Sequence, residues 1–182
     1  MLSSDELKIM AFSKACKEAN RRLPDDISLA LPSGKTNEDI QNLKEKGLLC
    51  WDFNNLKQPF KTPVSNPEHQ LSCIAYYGNT SNGYYCVGYV LGCVNKESTA
   101  IEINFIEKRS DAGVDLKSNF LPVIVDAFTA YGLLLNVLGQ ARINKLVLVG
   151  PVEGVRHYYE SSGWQYSADY LGTDAYVSFI DT

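Results

Sequence analysis

Several patterns by which a function is most often recognised are missing from the sequence. It contains no GxSxG, Walker A, HExxH or dinucleotide-binding motif, which argues against the hydrolase, NTPase, zinc-protease and Rossmann classes. It also lacks a basic excess, because 17 Lys and Arg stand against 21 Asp and Glu, for a net charge of −4. Nucleic-acid-binding modules usually carry such an excess, so we expect no nucleic-acid partner.

A disulfide or zinc pattern, a signal peptide and a long uninterrupted apolar run are missing as well. The five cysteines form no C-x-x-C pair, which predicts buried thiols in a reducing cytoplasm. Residues 1–6 have neither the basic nor the apolar part of a signal peptide. The apolar stretch 120–138 contains polar residues, Asp126 and Asn136 among them, which favours a soluble core helix over a membrane span. We therefore expect a cytoplasmic protein without a membrane partner.

The length and composition are those of one ordinary globular domain. A chain of 182 residues can bury roughly 70% of the surface that its unfolded form exposes, so it needs neither a disulfide nor a metal to fold. Hydrophobic residues make up 45% of the chain and charged residues 21%. We interpret residues 1–182 as a single domain, in which 1–68 form a helical part with a connector and 69–182 form the core.

The spacing of apolar residues predicts the order helix, helix, three strands, long helix, strand, short helix, two strands. The first helix is expected at 4–22 with Ser4 as its cap, and Thr36 is expected to cap the second. The predicted strands are 71–77, 84–95, 100–107, 145–150, 165–170 and 175–180. Hairpins join the first three strands, and the long helix crosses over to a fourth strand parallel to the third. The result is an α/β (α+β) fold with a mixed sheet.

Three stretches within this order resemble the GNAT superfamily of acyl-CoA N-acyltransferases. Val87-Gly-Tyr-Val90 and the strand at 100–106 are similar to the family's third and fourth strands, and the helix at 119–138 to its cofactor-facing helix. The most specific match is Tyr158-Tyr-Glu-Ser-Ser-Gly-Trp164, which resembles the family's aromatic-Tyr-Glu-x-x-Gly-aromatic signature. The resemblance covers about 71–180. It implies a mostly antiparallel central sheet with helices on both faces, plus an N-terminal helical extension.

The loop before the long helix departs from the family pattern. In the family, a Gln/Arg-x-x-Gly-x-Gly/Ala sequence there cradles the cofactor pyrophosphate with backbone N–H groups. The loop at 108–118 has one glycine and two acidic residues, Asp111 and Asp115, which repel a phosphate where they face it. An Asn that is often found early in the next helix is replaced by Val152. The resemblance implies that acetyl-CoA is bound here by the loop cations and helix-terminal N–H groups: Arg109, Gly113, Lys117, Ser118 and Asn119.

Two residues are catalytic candidates by this resemblance. Tyr159 stands at the signature Tyr, which protonates the departing thiolate in the family; the alternative is a core aromatic residue. Glu102 stands where some family members keep a general base; the alternative is a carboxylate hydrogen-bonded in a pocket without chemistry. The main-chain groups of Phe105 and Ile106 are expected, also by resemblance, to pair with the pantetheine arm and polarise the acyl carbonyl.

Strand alternation predicts which side chains of the third strand share a face. Glu102, Asn104 and Ile106 are expected on one face of that strand. Ile101, Ile103 and Phe105 are then expected on the other face.

These observations lead us to expect an N-acyltransferase that moves acetyl from acetyl-CoA to a primary amine of a small molecule or peptide, without a metal. The alternatives are a non-catalytic GNAT-like binding or regulatory module and an acyltransferase with an acyl-carrier-protein donor. Residues 157–182 contain four acidic residues and no Lys or Arg, which would attract a cationic amine or simply form a solvated acidic rim. The oligomeric state is left open, a homodimer included.

Overall fold

A mixed sheet of seven strands, in the order β1-β2-β3-β4-β5-β7-β6, lies at the centre of the computed structural model. The structure describes residues 1–57, 59–151 and 156–181. Within them the elements are α1 (Ser4–Ala19), β1 (Asp26–Ala30), α2 (Gly34–Glu45), a 3₁₀ turn (Pro67–His69), β2 (Gln70–Asn79), β3 (Gly83–Val94), β4 (Ala100–Lys108), α3 (Val114–Val137), β5 (Lys145–Val149), α4 (Arg156–Ser161), β6 (Gln165–Tyr170) and β7 (Thr173–Phe179). Only β4 and β5 pair in parallel; the other neighbours are antiparallel. The predicted mixed, mostly antiparallel sheet is confirmed.

Helices cover both faces of the sheet, as predicted. α1 and α3 bury their apolar sides against one face, where Phe12 stacks near Phe128 with ring centroids 6.3 Å apart. α2 covers part of the other face, where its Ile40 joins a second apolar cluster with Tyr89 and Phe105. By length and composition α3 is the one described helix that could cross a membrane. Nine of its residues are buried within this fold.

The N-terminal part contains one strand that the sequence did not predict. β1 follows α1 and pairs with β2 from Asp26 opposite Gly78 to Ala30 opposite Ile74. It is only five residues long and lies at the edge of the sheet. Five residues are too few to predict this strand from their sequence pattern, and the hydrogen bonds to β2 stabilise it.

The two N-terminal helices begin slightly differently from the prediction. The N-cap of α1 is Ser3, one residue before the predicted Ser4, and Ser3 forms a capping box with Glu6. Thr36 is not the N-cap of α2. Ser33 is the cap, its hydroxyl accepts from the Thr36 N–H at 3.2 Å, and the Thr36 hydroxyl accepts from the Ser33 N–H at 2.7 Å. These two reciprocal hydrogen bonds make Ser33 the N-cap residue of α2.

A β-bulge in β4 changes which side chains share a face. Ile103 lies opposite Gly92 and Phe105 lies opposite Leu91, so Asn104 is an additional residue without a partner in β3. A Cβ at Gly92 would lie 2.1 Å from the Glu102 carbonyl oxygen, so the strands approach closely here only because position 92 is glycine.

The predicted alternation is therefore wrong beyond Ile103. Ile101 and Ile103 pack on the α3 side of the sheet, and Ile106 packs on that same side. Phe105 packs on the α2 side, within the cluster around Ile40. The additional residue shifts the alternation of the two faces by one position. The spacing of apolar residues in the strand does not indicate this shift.

The cysteines differ in one case from the predicted buried thiols. Cys16, Cys73, Cys86 and Cys93 are buried, whereas Cys50 is exposed. Burial raises the pKa of the Cys16 and Cys93 thiols to about 11 and that of Cys86 to about 12. These folded-state values lie above the unfolded value, so the thiols contribute stability below roughly pH 8.5, and that stability is lost as the pH rises through 11 to 12.

We expect a disulfide reagent to label a single thiol in the native protein near pH 8. Cys50 should react within seconds to minutes because it is exposed. The four other thiols should not react on this timescale, because they are both inaccessible and protonated. All five should react after unfolding in guanidinium chloride. Cys50→Ser should remove the fast phase while Cys16→Ser leaves it; rapid labelling of two or more thiols in the folded protein would contradict this arrangement.

Candidate active site

β4 and β5 pair over the first four residues of each strand, which leaves five further residues of β4 and only Val149 of β5 beyond the pairing. Their pairing begins with Ala100 opposite Lys145 and ends with Ile103 opposite Leu148. No pairing between the two strands follows in the described part of the chain. The β5-facing edge of β4 is thus free of ladder partners from Asn104 onward, and the main-chain groups of Phe105 and Ile106 lie on this segment.

A crevice of about 100 Å³ opens where the strands diverge. Its walls include Asn104 and Ile106 from β4, Leu148 from β5, Tyr159 from α4 and Trp51 from the connector after α2. The divergence therefore brings the signature Tyr next to the bulge residue.

The connector reaches this crevice because a carboxylate of β4 holds it. The Glu107 side chain accepts from the Cys50 N–H at 2.6 Å and from the Trp51 N–H at 3.2 Å. The Trp51 ring then lies edge-on to Phe105, with centroids 5.0 Å apart. Neither Trp51 nor Glu107 can be recognised from the sequence as a site residue, since nothing in the connector sequence indicates where the connector folds back.

Tyr159 is buried in the wall of the crevice by aromatic packing. It is 5% exposed, and its ring centroid lies 5.8 Å from that of Trp164 and 5.5 Å from that of Tyr176. No hydrogen bond joins its hydroxyl to another described residue. Burial raises the pKa of Tyr159 to about 12, so the phenol stays protonated at neutral pH and retains a proton to donate.

Asn104 is a site residue that the sequence analysis did not identify. Its side chain is 6% exposed, yet neither its amide nitrogen nor its carbonyl oxygen has a hydrogen-bond partner among the described residues. Buried polar atoms are nearly always paired, because an unpaired one costs about 1–3 kcal/mol. This amide lines the crevice and is available to a bound molecule. In the sequence, the one indication of a role for Asn104 is that it is a polar residue within a largely apolar strand.

Glu102 lies in a different cavity from Tyr159. It is fully buried, and its carboxylate accepts hydrogen bonds from the Ser65 hydroxyl and, at 2.5 Å, from the Tyr170 hydroxyl. An open pocket of about 630 Å³ adjoins it, between the connector, the β3–β4 turn and the β6–β7 turn. Burial and the neighbouring Glu102 raise the pKa of Tyr170 well above its ordinary value, so Tyr170 remains the hydrogen-bond donor of this pair.

The two cavities adjoin the same short stretch of β4. Only Ile103 separates Glu102 from Asn104 along the strand, a distance of roughly 7 Å at about 3.3 Å per residue. Glu102 and Asn104 thus bring the walls of the two cavities near each other, although no described residue lines both.

The loop before α3 keeps its principal cation paired with an acidic residue. Arg109 donates to the Asp111 carboxylate at 2.6 and 3.0 Å and to the Cys86 carbonyl oxygen at 3.1 Å. The Asp115 carboxylate accepts from Tyr77 and lies beside the start of α3, 2.8 Å from where a Cβ of Gly113 would be. The two features that would meet a phosphate, the Arg109 guanidinium and the N-terminus of α3, each already have a carboxylate next to them.

The start of α3 also changes which N–H groups are terminal. Gly113 is the N-cap and the helix begins at Val114, five residues before the predicted Asn119. Ser118 and Asn119 lie in the second turn, so the expectation that they offer helix-terminal N–H groups is wrong. Lys117 is exposed on the first turns. Val152, where an Asn was expected by family pattern, lies outside the described residues.

Within the described ranges, no group of three or more His, Cys, Asp or Glu side chains is arranged to hold a metal ion.

We expect Asn104→Leu to raise the free energy of unfolding by about 1–3 kcal/mol, because it replaces an unpaired buried amide with an apolar side chain of similar size. Asn66→Leu is the matched control. Asn66 is equally buried, but its amide nitrogen donates to the Val94 carbonyl oxygen at 2.9 Å, so its loss should destabilise the fold. Urea denaturation measures both. Equal destabilisation by the two substitutions would show that Asn104 is paired in solution.

Comparisons with known proteins bear on the fold. No protein-family model matches the chain, and the search of curated proteins finds no relative. Among solved structures, Tetrahymena GCN5, a GNAT acetyltransferase, is similar over 86% of this chain and 96% of its own, with 14% identity and a TM-score of 0.52. A domain from Methanocaldococcus jannaschii is similar over 86% and 99%, with 14% identity and a TM-score of 0.51.

A Thermus thermophilus acetyltransferase is also similar over 85% of this chain and 97% of its own, with 14% identity and a TM-score of 0.48. The likeness to the two structures with a TM-score above 0.5 concerns the overall fold. The chain has the fold of the GNAT acetyltransferases, which confirms the fold that the sequence resemblance implied.

Proposed function

We propose that the protein is an N-acyltransferase that moves an acyl group, acetyl in the simplest case, from a CoA thioester to a primary amine. The observation that carries this proposal is the divergence of β4 and β5 after Ile103, with a buried Tyr and an unpaired amide at the opening. The fold shared with GNAT acetyltransferases supports the same class of reaction.

The donor belongs on the crevice side of β4. The free main-chain edge at Phe105 and Ile106 can pair with the amides of a pantetheine arm, as the family resemblance implies. The Asn104 amide nitrogen can donate to the thioester carbonyl oxygen, which becomes negative as the tetrahedral intermediate forms. When the C–S bond breaks, Tyr159 can transfer its proton to the leaving sulfur, and the phenolate regains a proton from solvent.

The acceptor belongs on the pocket side, where Glu102 is the base. Its carboxylate is covered by the Tyr170 and Ser65 hydroxyls rather than open to the pocket. Tyr170 lines the pocket, so its oxygen can take a proton from the ammonium while its own proton passes to Glu102. The neutral amine then attacks the thioester carbonyl carbon across β4. As the C–S bond breaks, the nitrogen loses its second proton to solvent and becomes the amide, and Glu102 also returns its proton to solvent.

The size of the crevice sets a requirement on donor entry. A volume of about 100 Å³ holds a few water molecules and is smaller than a pantetheine arm. The Trp51 ring forms part of the crevice wall and belongs to a connector, so its displacement is the smallest change that would widen the opening.

The non-catalytic alternative is favoured by one observation. Arg109 is engaged with Asp111, and the Asp115 carboxylate lies next to the N-terminus of α3, so neither is arranged to receive a pyrophosphate. The same observation favours a carrier-protein donor, whose pantetheine arm carries a single phosphate. Donor binding separates these cases: a CoA donor requires stabilisation by acetyl-CoA, and a carrier donor requires turnover with an acyl carrier in its place.

We expect acetyl-CoA at 100 times its Kd to stabilise the protein by about 2.7 kcal/mol, measured as a rise in Tm. Tyr159→Phe should keep this rise but lower the turnover of acetyl-CoA with an amine by 10²-fold or more, because it removes the proton donor to sulfur. Tyr158→Phe is the control, since Tyr158 is exposed on the same helix. Equal turnover of the Tyr159→Phe and Tyr158→Phe proteins would remove Tyr159 from catalysis.

We expect Tyr170→Phe and Glu102→Gln to slow the transfer most at low pH. An ammonium must lose its proton before it can attack, and solvent performs this step unaided only near and above the pKa of the amine. The ratio of wild-type to variant rate should therefore fall as the pH rises from about 7 to 10. Tyr166→Phe on the same strand is the control. A ratio that stays constant over this range would make the pair structural.

A further inference from the structure

The Glu102 pocket has a cationic mouth. Lys61, Lys96 and Lys145 line it together with Glu97, and no carboxylate of a described residue forms an ion pair with any of the three lysines. Three unpaired ammonium groups around one pocket indicate that it receives negative charge.

The interior of the pocket has the opposite character. Its one buried carboxylate is Glu102, which has no cationic partner and accepts only from hydroxyls and the Cys93 thiol. Burying a charged carboxylate without a counter-ion is costly, so a ligand ammonium placed beside this group would supply what the protein itself does not. The pocket thus combines a site for a cation inside with sites for an anion at the mouth.

The acidic C-terminal stretch does not counter this pattern. Asp174 pairs with Arg156, Glu160 accepts from the Tyr176 hydroxyl at 2.8 Å, and Asp169 accepts from the Gly172 N–H at 3.0 Å. None of these three lines the pocket. The hypothesis that this acidic end attracts a cationic amine therefore has no support at the pocket.

We infer that the acceptor is a small amine that also carries an anionic group, a carboxylate or a phosphate, which the lysines at the mouth bind while the amine lies toward Glu102. This inference rests on the proposed function and specifies the substrate class of the same site. A polyamine would bring several positive charges past three lysines, whereas an amino acid or an aminoalkyl phosphate complements both ends of the pocket.

The experiment compares amines that differ only in the anionic group. The pairs are 4-aminobutyrate with n-propylamine, arginine with agmatine, and O-phosphoethanolamine with ethanolamine, each with acetyl-CoA as donor. In each pair, the member that carries the carboxylate or phosphate is called the anionic member here. We expect the anionic member of at least one pair to have a kcat/KM at least tenfold higher than its partner. The first two pairs test a carboxylate and the third a phosphate.

The lysine variants test the mechanism of this preference. Lys96→Gln and Lys145→Gln should each raise KM for the anionic member several-fold, with little change for its partner. Lys14→Gln, on the solvent side of α1, should change neither value.

Three results would overturn the inference. One is equal or better use of the members that lack the anionic group; another is a preference for the anionic group that survives both lysine substitutions. The third is stabilisation by acetyl-CoA without turnover of any pair, which would leave the donor site standing. If acetyl-CoA neither binds nor is consumed, the proposed function fails first.

Discussion

One additional residue in β4 is the constraint on which the candidate site depends. The bulge at Asn104 directly follows Ile103, the last residue of β4 that pairs with β5, and such an additional residue increases the local twist of its strand. Beyond Ile103, β5 continues only to Val149, so Asn104 stands where β4 loses its parallel partner. The amide of the same residue is then left buried and unpaired at the opening. The fold therefore retains a local energetic cost at the place where a ligand would relieve it.

The charges of the molecule are distributed in a way that separates two sites. At the loop before α3, where the family resemblance implies a pyrophosphate, the main cation is neutralised by Asp111 and the helix start by Asp115. At the Glu102 pocket, the lysines are unpaired among the described residues. Binding at the first site requires Arg109 to exchange partners, whereas the second site is already complementary to an anion. Donor binding is thus expected to require a change of side-chain partners that acceptor binding does not require.

The N-terminal part contributes to the site through its connector. Glu107 fixes the connector by two main-chain hydrogen bonds, which places Trp51 at the crevice, and Ser65 further along the connector donates to Glu102. A segment that is irregular in sequence therefore provides one wall of the crevice and one hydrogen bond to the candidate base. Substrate choice in this fold would be set largely by such segments, because they are the least constrained by the sheet.

The sequence by itself determined the element order apart from β1, the parallel crossover and the GNAT resemblance, because apolar spacing and the 158–164 signature are local properties of the chain. It also placed Tyr159 and Glu102 as candidates. Only the tertiary structure decided that they line different cavities, that Asn104 is the bulge residue and that Arg109 is already paired. It also brought three lysines, at positions 61, 96 and 145, together around one pocket. A bulge, an ion pair and a pocket depend on which backbones lie next to each other, and that information is distributed over the whole chain rather than written in any one segment.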